Sequence, residues 1–435
     1  VTATAPAPAP GATAAPRPRP RARSASGRPA RTLRRVAGAS ALAALLAAGL
    51  LQGATPARAD AIRDQQQWAL DAVNAPAAWE TTRGQGITVA VLDTGVDPAH
   101  PDLSGGVLQG RDLVRMGAEP GDDEWASHGT AMAGIIAGRG HGAGRNAGVM
   151  GVAPEAVILP VRVLLEDDDP ARDEARESRS GALAEGIRWA TDQGADVINL
   201  SLGDDSESAH PDPEEDAAVR YALSKGAVVV ASAGNGGESG DPVSYPAGYP
   251  GVIAVAAVDR SGSRAEFSTR RWYATVSAPG KDVIVADPDR EYYTGWGTSA
   301  AAAFVSGSVA LLRAAHPDLT PAQVRDLLAE TAQDPPEGGR DDALGSGMVD
   351  PAAAIAAAQG LTALRLEPAT EPYEGEFFGP GPSAEGGGPG GNAWLAPVSG
   401  AAGVVLLGAA AALMAGGTAR IRERIRRQAT RPTPH

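Results

Sequence analysis

Residues 87–95 read ITVAVLDTG. Six residues without a charge run into an acid and then a Thr-Gly turn. The apolar positions are successive rather than alternate, so no face is reserved for water. Such a run fits a strand of a parallel sheet covered on both sides. Segments 157–164, 197–202, 228–231 and 252–258 have the same character. Between them, 129–137, 181–193 and 216–225 are long enough for crossover helices. The βαβα order predicts an α/β fold with a mostly parallel sheet.

Further along, 299–315 is rich in Ala, Ser and Gly and predicts a buried, closely packed helix. The next helix has a clear start, with Thr320 as N-cap, Pro321 at the first helical position and Gln323 completing a capping box.

The chain has 435 residues, no Cys, and a formal net charge of −14. Without Cys there is no disulfide, thiol nucleophile, iron–sulfur cluster or Cys-type zinc site. The charge is partitioned. Residues 1–59 hold nine Arg and no acid, and residues 418–435 hold six Arg and one Glu. The rest carries 23 basic and 51 acidic residues, a net of −28. So acidic a body argues against nucleic acid as a partner, which needs clustered cations.

The ends read as membrane signals. Arg34-Arg35, an apolar core at 41–51 and the small-x-small stretch Ala57-Arg58-Ala59 form a secretory signal over 1–59, cleaved before Asp60. A retained signal anchor is the alternative. Residues 394–415 carry no charge. As a helix they would be about 33 Å long, enough for about 30 Å of hydrocarbon. Six Arg follow, which places the tail in the cytoplasm and the body outside. The expected order is a leader (1–59), an N-terminal extension (60–86), a catalytic domain (87–362), a Pro/Gly-rich linker (363–392), a transmembrane helix (393–417) and a basic cytoplasmic tail (418–435).

Three short motifs carry chemistry. Asp93 ends the first apolar strand, His128 opens a helix in SHGT, and Ser299 opens the long small-residue helix in GTSA. Singly each is weak, since Asp and Ser are ordinary caps and turn formers. Together they give the order Asp, His, Ser, one of three known chain orders for a single hydrolytic geometry. Segments 89–103 (VAVLDTGVDPAHPDL), 128–138 (HGTAMAGIIAG), 228–235 (VVVASAGN) and 297–307 (GTSAAAAFVSG) resemble the four signature segments of the subtilisin family. The match continues through 245–258 and 277–280 and covers about 68–360.

The resemblance implies a subtilisin-like three-layer fold and a serine endopeptidase. Ser299 would be the nucleophile, His128 its general base, and Asp93 the group that holds the imidazole. Asn235 would be the side-chain oxyanion donor. Ser201, Leu202 and Gly203 would form an edge that pairs with an extended peptide, and Ala233 and Gly234 the opposite wall of the primary pocket. His100 lies in the AHPDL turn, where the family uses no catalytic residue, and His141 lies in the Gly-rich stretch 138–148. Asp102 matches a calcium-ligating position of some subtilisins, but the companion loop 139–149 differs. The expectation is therefore no cofactor and no metal. No GxxxxGK[ST] or HExxH pattern occurs, and the Gly-rich 138–148 reads as a loop rather than a phosphate cradle.

The short extension, the single C-terminal span and an Arg-to-Lys ratio of 36 to 2 resemble the mycosins, membrane-anchored subtilases associated with type VII secretion. Secretion-complex components then become expected partners beside a peptide substrate. Two other roles fit the same features: a structural component of that complex, or a general surface protease. Ala303 stands where the family usually has Pro. The acidic inserts 166–177 and 204–216 read as solvated loops. The second follows Ser201–Gly203 and would form an acidic rim favouring basic segments.

Overall fold

The computed structural model describes residues 61–364, apart from 123, 124, 205, 207 and 208. The expected leader, transmembrane helix and basic tail, and the linker beyond residue 364, lie outside the described residues.

The described chain opens with helix α1 (Ala61–Ala72) and the short α2 (Ala75–Ala78). Strand β1 (Thr88–Asp93), the two-residue β2 (Arg111–Asp112) and helix α3 (Ser127–Ala137) follow. A hairpin of β3 (Arg139–His141) and β4 (Ala147–Met150) leads to β5 (Val157–Arg162), α4 (Arg172–Ser178) and α5 (Ala182–Asp192). Next come β6 (Val197–Leu200), α6 (Pro213–Ser224), β7 (Val228–Ser232), β8 (Ile253–Val258) and β9 (Ala274–Pro279). A second hairpin, β10 (Val283–Ala286) and β11 (Tyr292–Gly295), precedes α7 (Thr298–Ala315), α8 (Pro321–Glu330) and α9 (Pro351–Ala357).

The main sheet has seven strands in the order β2-β5-β1-β6-β7-β8-β9, all parallel. The first apolar run shows why both faces exclude polar residues. Val89 and Val91 share a core with α3 and α7, while Ala90 and Leu92 share another with α5 and α6. The fold is thus helix, sheet, helix in three layers. The sheet also positions the site. From β1 the chain fills one side with β5, then crosses to the other with β6, so the winding reverses at β1. In such sheets the crevice at the carboxyl ends of the strands beside the reversal receives ligands.

The long helix α7 is the one described helix whose length and hydropathy would suit a membrane span, and it is buried at the centre of the fold. It runs unbroken through Ala303, which is fully buried. Helix α8 begins as expected, with the Thr320–Gln323 capping box formed. Helix α6 begins at Pro213, three residues before the expected start, because Asp212 caps it by accepting the Glu214 and Glu215 N–H groups.

Segment 61–86 packs on the domain. Leu70, Val73, Ala75 and Ala78 enter its core, and Trp79 Nε1 donates to Val152 O at 2.8 Å. Gln66, buried on α1, exchanges two hydrogen bonds with the Met150 backbone at 2.7 and 2.8 Å.

Candidate active site

Four loops at the carboxyl ends of β1, β6 and β7 and at the start of α7 converge. Asp93, the last residue of β1, is fully buried. Its Oδ1 lies 2.8 Å from His128 Nδ1 and accepts the Thr94 N–H at 2.8 Å. Its Oδ2 is buried without a partner. An ionised carboxylate held this way is costly unless a cation faces it, and the neighbouring imidazole is the group that can become one.

His128 is the second residue of α3, and about a third of its side chain (35%) is exposed. The next residue must be Gly, since a Cβ at Gly129 would sit 1.9 Å from Gly95 O. Burial alone lowers the imidazole pKa. Asp93, by charge and hydrogen bond, and then Glu166 and Asp167 raise it more, to about 9.

Ser299 is the second residue of α7, where unpaired backbone N–H groups and the positive end of the helix lie. Gly297 before it has φ of 141°, a region open to Gly rather than to L side chains. The Ser299 hydroxyl donates to Ser201 O at 3.0 Å, and Ser201 Oγ donates to Ser299 O at 2.9 Å. The hydroxyl forms no hydrogen bond to His128 here. Such contacts are often long or misaligned without substrate and tighten when it binds. Asn235 Oδ1 accepts from Thr298 N at 2.9 Å and Thr298 Oγ1 at 3.0 Å. That pairing fixes which end of the amide is oxygen and makes Nδ2 its donor end.

The expected substrate residues gather beside Ser299. Strand β6 stops at Leu200, two residues before the expected end, as the Ser201 carbonyl turns to the Ser299 hydroxyl. Leu202 O accepts from Ser232 Oγ at 3.2 Å. Ala233 is buried and its carbonyl accepts from Tyr273 Oη at 3.1 Å. Gly203 and Gly234 approach Ser244 from two sides: a Cβ added to Gly203 would lie 2.7 Å from Ser244 Oγ, and one on Gly234 would lie 3.1 Å from Ser244 Cβ. The Ser244 hydroxyl is buried and unpaired. Sequence reading missed it, although it directly precedes the Tyr245-Pro246 peptide, which is cis.

Two more groups reach the site without a sequence signal. Tyr293, on β11, has its phenol pKa raised by burial and by the nearby charges of Asp287, Glu166 and Asp93. Glu166, first residue of the first acidic insert, accepts the His128 backbone N–H at 2.9 Å. That insert is not simply a solvated loop. It contains α4, and Leu165 packs with Val114 and Ala175 in a small core of its own.

His100 and His141 stand away from this constellation, around Asp102. His141 Nδ1 lies 2.7 Å from Asp102 Oδ1, while Val149 N and Tyr292 Oη each donate to Oδ2 at 2.8 Å. The His100 ring accepts the Asp102 N–H at 3.2 Å. The residue 139–149 segment is the β3–β4 hairpin rather than a bare loop. A calcium ion needs six or more oxygen ligands. Here N–H and O–H donors surround the carboxylate, so the set does not fit that ion. Among the described residues no group of three or more His, Asp or Glu could hold a metal.

The subtilase-family sequence profile matches residues 84–347. Thermitase of Thermoactinomyces vulgaris is 39% identical over 247 residues, 57% of this chain and 82% of thermitase. Subtilisin E of Bacillus subtilis is 41% identical over 251 residues, 57% of this chain and 61% of that protein. Among solved structures, MycP1 of Mycobacterium smegmatis superposes with a TM-score of 0.57 at 29% identity, covering 70% of this chain and 87% of its own. The MycP3 protease, described as from the type VII (ESX-3) secretion system, gives a TM-score of 0.56 at 33% identity, covering 70% and 90%.

Proposed function

Because the chain belongs to the subtilase family and is a serine endopeptidase, we propose that it cleaves extended peptides through Asp93, His128 and Ser299, with Asn235 as oxyanion donor, outside a membrane that anchors it by 393–417. The observation that carries the site assignment is the 2.8 Å contact between the buried Asp93 carboxylate and His128 Nδ1, at the carboxyl ends of the strands where α7 presents Ser299.

Each step follows from a named group. His128 Nε2 takes the Ser299 hydroxyl proton as Oγ attacks the scissile carbonyl carbon. Charge then moves to the carbonyl oxygen, which Asn235 Nδ2 and the backbone N–H groups at the start of α7 stabilise. Collapse breaks the C–N bond, and the leaving amine carries off the proton held by His128. Water repeats the sequence on the acyl-enzyme and frees Ser299. Asp93 keeps the Nδ1 proton in place and offsets the imidazolium charge.

A role in type VII secretion is supported by the likeness to MycP1 and MycP3, whose descriptions name such systems. The acidic body between two basic ends supports an exported domain on a single anchor. Asn235→Ala tests the mechanism. It lowers kcat by about 10²–10³-fold with KM little changed, because the lost donor acts mainly on the transition state. Unchanged kcat would remove Asn235 from the oxyanion site.

A further inference from the structure

The helix that presents His128 begins without a cap of its own. Ala126 precedes it in the left-handed region, with φ of 57° and no side-chain acceptor. Alanine is a poor residue there, because first-turn N–H groups are left unpaired. Two of those groups are satisfied from distant chain. The His128 N–H donates to Glu166 Oε1 at 2.9 Å, and the Gly129 N–H donates to Thr94 Oγ1 at 3.1 Å. Thr94 directly follows Asp93, which holds the His128 ring. The residue is thus fixed twice, by its ring and by its backbone, and Thr94 ties Asp93 to the next residue of the helix.

Glu166 is delivered by an ordered turn. Asp169 is buried and accepts the Ala118 and Ala171 N–H groups, each at 2.8 Å. Arg172 donates to Leu165 O and pairs with Asp167 at 2.5 Å. The acidic insert therefore clamps one carboxylate onto the start of α3 and leaves Asp167 and Asp168 exposed.

We propose that Glu166 is a positioning residue for His128: it ties the start of α3 to the insert after β5 and places a negative charge near the imidazole. This rests on the reading of His128 as general base. Other groups also face it. Asp93 comes from β1, Asp167 from the same insert, and Ser127 from its own helix, bonded to Asp287 of the second hairpin. Arg162, in register with Asp93, is engaged with Asp112 at 3.3 Å and stacked 4.7 Å from the Trp125 ring. Among these, Glu166 is the charged side chain hydrogen-bonded to the His128 backbone. A carboxylate near an imidazolium favours the protonated ring, and at a helix N-terminus it is itself favoured. Burial pushes the Glu166 carboxyl above the usual carboxylate range, while its bond from the His128 N–H opposes that rise.

The test is kcat and KM for a peptide substrate across neutral and alkaline pH in the full chain, comparing the parent with E166Q, E166A and S299A. Without the Glu166 charge His128 loses its proton at lower pH, so the rising limb of kcat moves to lower pH in both Glu166 variants. E166A, which also frees the backbone N–H, loses roughly tenfold in plateau kcat, since a full 1 Å misplacement would cost about a hundredfold. E166Q keeps an acceptor oxygen and recovers most of that loss. If S299A is inactive while both Glu166 variants keep the parental limb and plateau, the positioning role is overturned and the triad reading stands. If S299A cleaves like the parent, the triad reading itself falls, and this inference with it. E166Q is nearly isosteric, so its limb decides the matter even where E166A folds poorly.

Discussion

Ser299→Ala lowers kcat/KM for peptide cleavage by roughly 10⁴-fold or more, with melting behaviour close to the parent. The size follows from chemistry. An alkyl side chain has no oxygen with which to form an acyl-enzyme, and only transition-state binding by the remaining groups survives. The preserved fold follows from packing. The Ser201 hydroxyl still donates to the residue 299 carbonyl, a bond of 2.9 Å that does not involve the lost side chain. Ala also suits the helix interior, where α7 already carries Ala300 to Ala303. The lost Ser299–Ser201 bond of 3.0 Å is worth about 1 kcal/mol at most. The same variant separates enzyme from component in the host. The proposed function expects processing of an exported protein to stop. Loss of cleavage with processing and secretion both intact would favour a docking role.

Asp93→Asn costs about 10⁴-fold in kcat through the imidazole tautomer. The carboxylate can only accept, so it keeps the His128 proton on Nδ1 and leaves Nε2 free for Ser299. An amide can donate from the same place and put the ring proton on Nε2, where it blocks proton transfer. The carboxylate is the largest of the influences raising His128 to about 9. Its loss therefore also moves the surviving pH–rate limb downward. Stability changes with the same sign rule. A His raised from 6.5 to about 9 stabilises the fold fully below 6.5 and loses that contribution as pH rises through about 9. The gap in melting temperature between parent and Asp93→Asn is accordingly larger in mildly acidic buffer than in strongly alkaline buffer.

What was legible in the chain depended on whether the cause was local. The strands β1, β5, β6, β7 and β8 announce themselves because both faces must be apolar, and each lies within two residues of its expected place. Asp93, His128, Ser299 and Asn235 are legible as candidates because each sits in its own short motif at or just beyond a strand end or helix start. Helix α1 was not found. Its sequence AIRDQQQWALDA buries Gln66, Ala69 and Leu70, and a buried Gln reads as polar until its Met150 partners are known. Helix α4 was hidden by its charges, since RDEARES buries one residue, Ala175. Glu166 was indistinguishable from its acidic neighbours because its bond to His128 spans 38 residues. No local pattern encodes such a contact. Asp102 was noticed for a cation, but the donors around it come from Val149 and Tyr292, far along the chain.

Covalent trapping of the nucleophile bears hardest on the assignment. A sulfonyl fluoride loses fluoride as its sulfur bonds to an activated serine oxygen, and His128 accepts the displaced proton. The full chain is treated until peptide cleavage stops, digested and mapped by mass spectrometry. One adduct per chain on the peptide containing Ser299, absent in Ser299→Ala and greatly slowed in Asp93→Asn, is the predicted result. Inactivation with the adduct on another serine, or with Ser299 unmodified, would contradict the site described here.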